Sequence, residues 1–175
     1  MLPYGATELA SAHRTVRNNT IQIATDIPED KYDYSAAPGT KTVRQILTHI
    51  AFGSEFALAV HPAHLTTLVG FNFPQFIGAI MAEEQKPRSK AELLDLLRSR
   101  GDAFASWLEG VDDATLSEKV TMNDGTSRSR LEMIMGVKEH EMHHRGQLML
   151  VERMLGVVPH LTRQMQERMA AAARA

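Results

Sequence analysis

Apolar residues recur at the period of an α-helix in four long stretches of the chain. The first stretch predicts a helix, because residues three, four and seven apart fall on one helical face. Its stripe consists of Leu9, Ala12, His13, Val16, Thr20, Ile23 and Ile27. Asp26, Pro28 and the loop Ala37-Pro38-Gly39 predict where this helix ends.

The second stretch opens with Thr42 and Gln45, whose spacing is that of a capping box. In such a box the hydroxyl and the side-chain amide satisfy free backbone N–H groups of the first helical turn. The stripe that follows consists of Val43, Ile46, His49, Ile50, Gly53, Phe56 and Val60. We expect one continuous helix that ends at Pro62.

Residues 63–88 are less regular and predict a long loop after the second helix. The segment FNFPQFIGAIM favours a short helix after Pro74, too brief to belong to a bundle. A connection this long and apolar is more typical of a lid or a subunit contact than of disorder.

Two more helices begin with capping boxes, formed by Ser89 with Glu92 and by Ser129 with Glu132. The third helix is predicted to end near Gly110. Its apolar stripe consists of Leu93, Leu97, Phe104 and Leu108. The stripe of the fourth helix consists of Ile134, Val137, His140, Glu141, His144, Leu148, Val151 and Leu155.

The remaining segments add little to the fold. Asn123-Asp124-Gly125 is a turn signal that favours a small hairpin before the fourth helix. The alanine-rich end of the chain has high helix propensity, and we expect it on the outside. Four amphipathic helices without a substantial strand predict an all-α, antiparallel four-helix bundle that forms a single domain over residues 1–175.

Composition narrows the function classes. With 19 basic and 21 acidic residues the formal net charge is -2, so we expect no nucleic-acid or membrane partner. The first residues lack the plan of a secretory signal, and no apolar run approaches the roughly 20 residues of a membrane span. A cytoplasmic location is therefore expected. The absence of cysteine excludes a cysteine nucleophile, disulfides and thiolate metal sites.

Histidine placement is the most informative chemical feature. His140 and His144 are four residues apart on a predicted helix, so their imidazoles project from one face and can reach a common metal ion. His49 lies on the apolar stripe of the second helix and is the natural third ligand. The spacing alone leaves open that these are surface or core-edge histidines bonded to helix neighbours.

The segment from His140 to Gln147, HEMHHRGQ, resembles the H-x3-H-R-G-Q signature of the DinB-like (YfiT-related) metalloenzyme family. The apolar run around His49 resembles that family's second-helix segment. The resemblance extends over residues 8–158, although only the fourth-helix motif is sharp. It implies a four-helix bundle, often dimeric, with a divalent metal held by His49, His140 and His144. Some members of the family resemble thiol-dependent transferases or isomerases.

Four further residues in the motif have predicted roles other than metal ligation. Gln147 is expected to contact a ligand histidine or the substrate, and His143 to face solvent or an interface. Arg145 points away from the ligand face, toward a structural or intersubunit ion pair. Glu141 either orients a ligand imidazole through its second nitrogen or pairs with Arg145.

His13 lies on the inner stripe of the first helix, where a polar group needs a partner. It is a candidate fourth ligand, a candidate substrate-facing acid or base, or a core histidine bonded to a carbonyl. With Gln147 it forms the set of candidate catalytic residues. His61, His64 and His160 flank helix ends in polar surroundings, and no role is assigned to them.

Three neutral imidazoles would leave a divalent ion with an open coordination position, which is the catalytic arrangement rather than the closed structural one. We therefore expect a zinc, nickel or iron enzyme that activates a thiol or water, S-transferase-like, with a low-molecular-weight thiol as co-substrate. A small-molecule substrate and a homodimer are expected. The alternatives are a non-catalytic metal-binding stress or sensing module and a helical interaction domain without metal.

Overall fold

The computed structural model describes residues 4–174. Its helices are α1 (Ala6–Asp26), α2 (Val43–Ala51), α3 (Glu55–Val60), α4 (Phe73–Glu84), α5 (Lys90–Glu109), α6 (Asp113–Ser117), α7 (Arg130–Met154) and α8 (His160–Ala172). A 3-10 turn spans Glu29–Lys31, and strands β1 (Lys119–Thr121) and β2 (Ser127–Ser129) form an antiparallel hairpin. Helix α1 packs on α5 and α7, and α2 packs on α4, α5 and α7. The predicted all-α four-helix bundle is confirmed.

Local sequence signals fix where these elements begin. The Thr42, Ser89 and Ser129 hydroxyls accept hydrogen bonds from backbone N–H groups three residues on, at 3.2–3.3 Å. These are the three predicted capping boxes, and each precedes a bundle helix. The predicted hairpin is also present, with Gly125 at a positive φ of 80° in its turn.

The prediction of one continuous second helix is wrong. The helix stops after Ala51 and resumes at Glu55, and the intervening Gly53 N–H bonds to the Ile50 carbonyl at 3.0 Å in a tighter turn. A Cβ at Gly53 would lie 3.1 Å from Nδ1 of His140. Gly53 therefore lets the break in the helix approach the imidazole of α7 closely.

The segment expected to be a long loop contains more structure than predicted. Helix α4 lies where the short helix was expected, with Pro74 in its first turn, but it spans 12 residues. The Asn72 side chain caps it by accepting from the Gln75 N–H at 3.1 Å. Because α4 packs on α2, it forms one wall of the region around His49. Its role as a lid or a subunit contact stays a prediction.

The apolar core follows the predicted stripes. Its main cluster joins α1, α2, α5 and α7, and its large members that are exposed by 1% or less are Ile23, Ile27, Tyr32, Leu47, Ile50, Leu93, Leu97 and Leu148. A second cluster surrounds Phe104, Leu108, Leu116 and Ile134, and a small third cluster supports the hairpin. These clusters hold α2 and α7 side by side, which positions their histidines.

A buried ion pair crosses the bundle between Arg17 of α1 and Glu141 of α7. The guanidinium contacts the carboxylate at 2.9–3.1 Å, and the Thr20 hydroxyl donates to the same carboxylate at 2.8 Å. Arg17 also donates to the carbonyls of Leu97 and Ile50. Both predicted roles of Glu141 are therefore wrong, because its carboxylate is already committed to the α1 guanidinium.

Two histidines expected in polar surroundings are buried instead. His61 is stacked on Trp107 and contacts the buried guanidinium of Arg130 at 3.2 Å. Burial, with the charge of Arg130 adding to it, lowers the pKa of His61 to about 4. His160 opens α8 and contacts Asn19 of α1 at 3.1 Å. Helix α8 is otherwise mainly exposed, as predicted, and this buried first residue attaches it to the bundle.

Within residues 4–174, no helix combines the length and the apolar character needed to cross a membrane.

Candidate metal centre

Helices α2 and α7 bring three imidazoles together. One ring nitrogen of each of His49, His140 and His144 lies within 4.8 Å of the other two. The ring centroids are 4.6–4.8 Å apart. The structure thus places the three residues predicted as ligands in one cluster, which we call the histidine triad.

The sequence explains this convergence locally. His140 and His144 are one turn apart on α7, so both face α2. His49 is flanked on α2 by buried Ile46 and Ile50, which fix that helix against the core. Its own side chain keeps 24% of its surface exposed, so the triad lies at the edge of the core rather than inside it.

Hydrogen bonds orient two of the three rings. His49 Nδ1 lies 2.7 Å from Oε1 of Glu84, and His144 Nδ1 lies 2.8 Å from Oε1 of Gln147. Both oxygens are acceptors, so each Nδ1 carries the proton and each Nε2 keeps its lone pair. Such a partner on the second nitrogen is the usual companion of a metal-ligating histidine.

One pair of nitrogens in the triad is spaced almost as two ligands of one divalent ion would be. His49 Nε2 and His140 Nε2 are 2.9 Å apart. Two nitrogens bound at 2.0–2.1 Å to a tetrahedral ion lie about 3.3 Å apart, so a few tenths of an ångström separate this geometry from a ligating one.

Two imidazoles of the triad, those of His140 and His144, are neutral at physiological pH. Burial lowers the pKa of His140 to about 4, and the neighbouring His144 and His49 lower it further. Burial also lowers the pKa of His144 below its ordinary value. Neutral imidazole is the form that binds a metal ion, so these residues need to lose no proton first.

Glu84 is the residue of this site that sequence reasoning missed. It lies at the end of α4, is 3% exposed, and forms an ion pair with Lys41 as well as its bond to His49. No local pattern distinguishes it from Glu83, because its partner is brought near by the packing of α4 on α2. The sequence offered no signal for this contact.

The remaining motif residues take different positions. Gln147 contacts the ring of His144, as predicted for a residue supporting a ligand, and His143 is exposed. Nε of Arg145 is buried without a hydrogen-bond partner within residues 4–174. Its predicted pair with Glu141 is absent there, because that carboxylate bonds to Arg17.

His13 is buried in the core rather than gathered into the triad. It is 1% exposed, its ring lies edge-on to Phe104 at 4.8 Å, and neither ring nitrogen has a hydrogen-bond partner within residues 4–174. Burial, with Arg17 nearby, lowers its pKa to about 4. The potential ligand group found in the described part of the chain does not include it. Its catalytic role stays a prediction.

Two largely apolar cavities reach the triad. One of about 260 Å³ opens onto His49 and His140 between α2, α3, α4 and α7. The other, of about 350 Å³, opens onto His144 and Gln147 and includes Ile46, Leu150 and the stem of Lys41. The imidazoles are therefore accessible to small molecules from both sides.

These features define a helical bundle with a candidate three-histidine metal centre. The chain belongs to the DinB superfamily, whose family model matches residues 12–148. This range covers the whole path from His13 through the triad to Leu148, so it includes all the residues of the predicted site. A comparison with curated proteins found no matching sequence.

Three solved structures share the fold. YfiT from Bacillus subtilis, described as a probable metal-dependent hydrolase with an unusual four-helix bundle topology, is 14% identical with a TM-score of 0.70, covering 90% of this chain and 91% of that one. A DinB-like protein from Bacillus cereus is 18% identical with a TM-score of 0.67, covering 87% and 93%. The DinB-like YjoA from Bacillus subtilis is 20% identical with a TM-score of 0.64, covering 85% and 92%.

Proposed function

We propose that the protein is a divalent-metal-dependent enzyme that activates a thiol for transfer to a small electrophilic molecule. One zinc, nickel or iron ion would be held by His49, His140 and His144. The observation that carries the proposal is the convergence of three imidazoles from two helices beside two largely apolar cavities.

The ligand set supports a catalytic rather than a structural role. Three protein ligands leave a coordination position free, whereas closed structural sites use four. When bound, the ion would lower the pKa of a thiol or water at that position enough to deprotonate it at neutral pH.

The chain's own residues hold and orient the reactants. Glu84 and Gln147 accept the Nδ1 protons of His49 and His144. The Nε2 lone pairs of these two histidines therefore stay available to a metal ion. The largely apolar cavity walls offer few hydrogen-bond partners to water, which favours an organic thiol over hydroxide as the nucleophile. In the transfer the thiol sulfur bonds to the electrophilic carbon, the leaving group departs with its electron pair, and the thiol proton passes to solvent.

A hydrolase is the second candidate. Water can occupy the same free position, and YfiT, which shares the fold, is described as a probable metal-dependent hydrolase. A non-catalytic metal-binding stress or sensing module is a further alternative, and a fourth protein ligand, which would close the site, would favour it. The homodimer and the cytoplasmic location stay predictions.

The test measures consumption of electrophiles by the metal-loaded protein with and without cysteine, glutathione or dithiothreitol. A panel of activated aryl halides, epoxides and unsaturated carbonyl compounds provides the electrophiles. We expect thiol-dependent turnover that falls at least 100-fold in His144→Ala and is retained in His64→Ala, a control because His64 is exposed and outside the triad. Turnover without thiol would support the hydrolase, and equal loss in both variants would contradict the proposal.

A further inference from the structure

The cavity on the His49 and His140 side has an unusual lining. Four of its residues are phenylalanines, contributed by the α2–α3 break and by α3 and α4: Phe52, Phe56, Phe73 and Phe76. Two isoleucines of α4, Ile77 and Ile80, complete the apolar wall. We call this space, of about 260 Å³, the aromatic cavity.

Contacts among the rings hold the walls in place. Phe56 lies 5.4 Å from Phe73 and 5.8 Å from Phe76 between ring centroids, in tilted and edge-on orientations. The guanidinium of Arg100 lies 3.8 Å from the centroid of Phe52 and covers that ring. The cavity is therefore formed before a ligand enters, which lowers the entropic cost of binding.

The polarity of the cavity is concentrated at one end. Among its lining side chains only the imidazoles of His49 and His140 can form hydrogen bonds. A polar group elsewhere on a ligand would lose its hydration without gaining a partner. The lining thus selects a molecule that is apolar along its length and reactive at the end facing the triad.

From this lining we infer that the aromatic cavity binds the electrophilic substrate through a small apolar aromatic group. The ring would lie against the phenylalanines, and the reactive carbon would face His49 and His140. The assignment of the reactive end rests on the proposed function, whereas the binding of an apolar ring does not.

A separate cavity is available for the thiol. The cavity at His144 and Gln147 shares no lining residue with the aromatic cavity. Lys41, whose ammonium is paired with Glu84, and Gln147 line this second cavity and make it more polar than the aromatic cavity. Two co-substrates can therefore approach the triad without competing for one space.

The test uses bromobenzene as the probe, because apolar cavities lined by aromatic and aliphatic side chains bind benzene-sized molecules. Its affinity is measured by ligand-observed NMR on metal-free and metal-loaded protein, and anomalous scattering of bromine locates it in soaked crystals. Ile77→Trp should fill the mouth of the cavity. Ala79→Trp is the matched control, because Ala79 is exposed on the same helix and does not line the cavity.

We expect saturable binding with bromine located between the phenylalanines, at least tenfold weaker in Ile77→Trp and unchanged in Ala79→Trp. The inference is overturned if bromobenzene shows no saturable binding, even where a second copy of the chain covers the cavity. Equal affinity in the two variants would also overturn it. Metal content is measured on the same samples. Bromobenzene binding without metal uptake would reject the proposed function alone, and metal uptake without bromobenzene binding would reject this inference alone.

Discussion

In each ligand imidazole, the hydrogen bond made by one ring nitrogen decides whether the other nitrogen is free to bind a metal. Glu84 accepts such a bond from His49, and Gln147 accepts one from His144. His140 lacks such a partner: Nδ1 faces Gly53, and Nε2 lies 2.9 Å from Nε2 of His49. Two of the three rings are therefore oriented before any ion arrives, which reduces the reorganisation that binding requires.

Replacing Glu84 tests this orientation. Glu84→Ala removes the oxygen that accepts the proton of His49 Nδ1. We expect metal affinity to fall about 10–100-fold, which is typical of losing such a partner. Chelator competition measures this affinity. Glu83→Ala is the control because Glu83 pairs with Lys86 and Arg88 rather than with His49, and an equal effect of both substitutions would contradict the orientation.

Glu152 provides a pH test in another part of the molecule. It is fully buried, and neither carboxylate oxygen has a hydrogen-bond partner within residues 4–174. Burial, with the charge of Asp26 adding to it, raises the pKa of Glu152 from 4.5 to about 7. Between these values the folded protein keeps a proton that the unfolded chain has released, so the free energy of unfolding falls as pH rises from 4.5 to 7.

Glu152→Gln removes this titration. We expect the free energy of unfolding of the variant, relative to that of the natural protein, to rise by about 1–3 kcal/mol from pH 5 to pH 8. Only the natural protein must bury a charge at the higher pH. Urea unfolding at the two pH values measures the difference. Glu139→Gln, at an exposed position of the same helix, is the control. A gain that does not depend on pH would show that the carboxyl does not titrate as described.

At the residue scale, the sequence predicted the contacts that depend on helical spacing. His140 and His144 are neighbours by periodicity, and His49 followed from its position in an apolar stripe. Glu84 and Glu141 could not be assigned, because their partners lie on other helices and are chosen by packing. The buried ion pair of the core was not predicted. The sequence does contain a sign of it, because Arg17 is a charged residue one turn from His13 on the inner face of α1.

At the scale of elements, capping residues predicted helix starts more accurately than periodicity predicted continuity. All three capping boxes and the hairpin are present. The break after Ala51 was missed because Gly53 sits on a stripe that continues in register through Phe56 and Val60. Tertiary contact with His140, which a one-dimensional pattern does not contain, accounts for the interruption.

Two glycines predict opposite effects of alanine on the bundle. A Cβ at Gly101 of α5 would lie 2.8 Å from Cγ of Arg17, whereas one at Gly136 of α7 would meet no atom within 4 Å. We expect Gly101→Ala to lower the free energy of unfolding by about 1–3 kcal/mol through overpacking. Gly136→Ala should raise it by about 0.5–1 kcal/mol, since alanine is favoured inside helices. Denaturant unfolding measures both changes in the free energy of unfolding. Stabilisation by both substitutions would show that Arg17 is not held against α5.

At the scale of the whole molecule, the motif from His140 to Gln147 was the most informative part of the sequence. It indicated the family, the four-helix bundle and the three convergent histidines, all of which the structure and the family match support. The substrate cavities could not be predicted, because their walls come from α4 and from the break between α2 and α3. Those elements differ from the expected loop and continuous helix, so the aromatic cavity became visible only in three dimensions.

Metal stoichiometry tests the central claim most directly. Elemental analysis of purified protein is compared with that of His49→Ala and of His64→Ala, which changes an exposed histidine outside the triad. We predict one divalent ion per chain in the natural protein and in His64→Ala, and none in His49→Ala, whose circular dichroism stays helical. Full metal content in His49→Ala, or no metal in the natural protein after incubation with zinc, nickel or iron, would contradict the three-histidine centre.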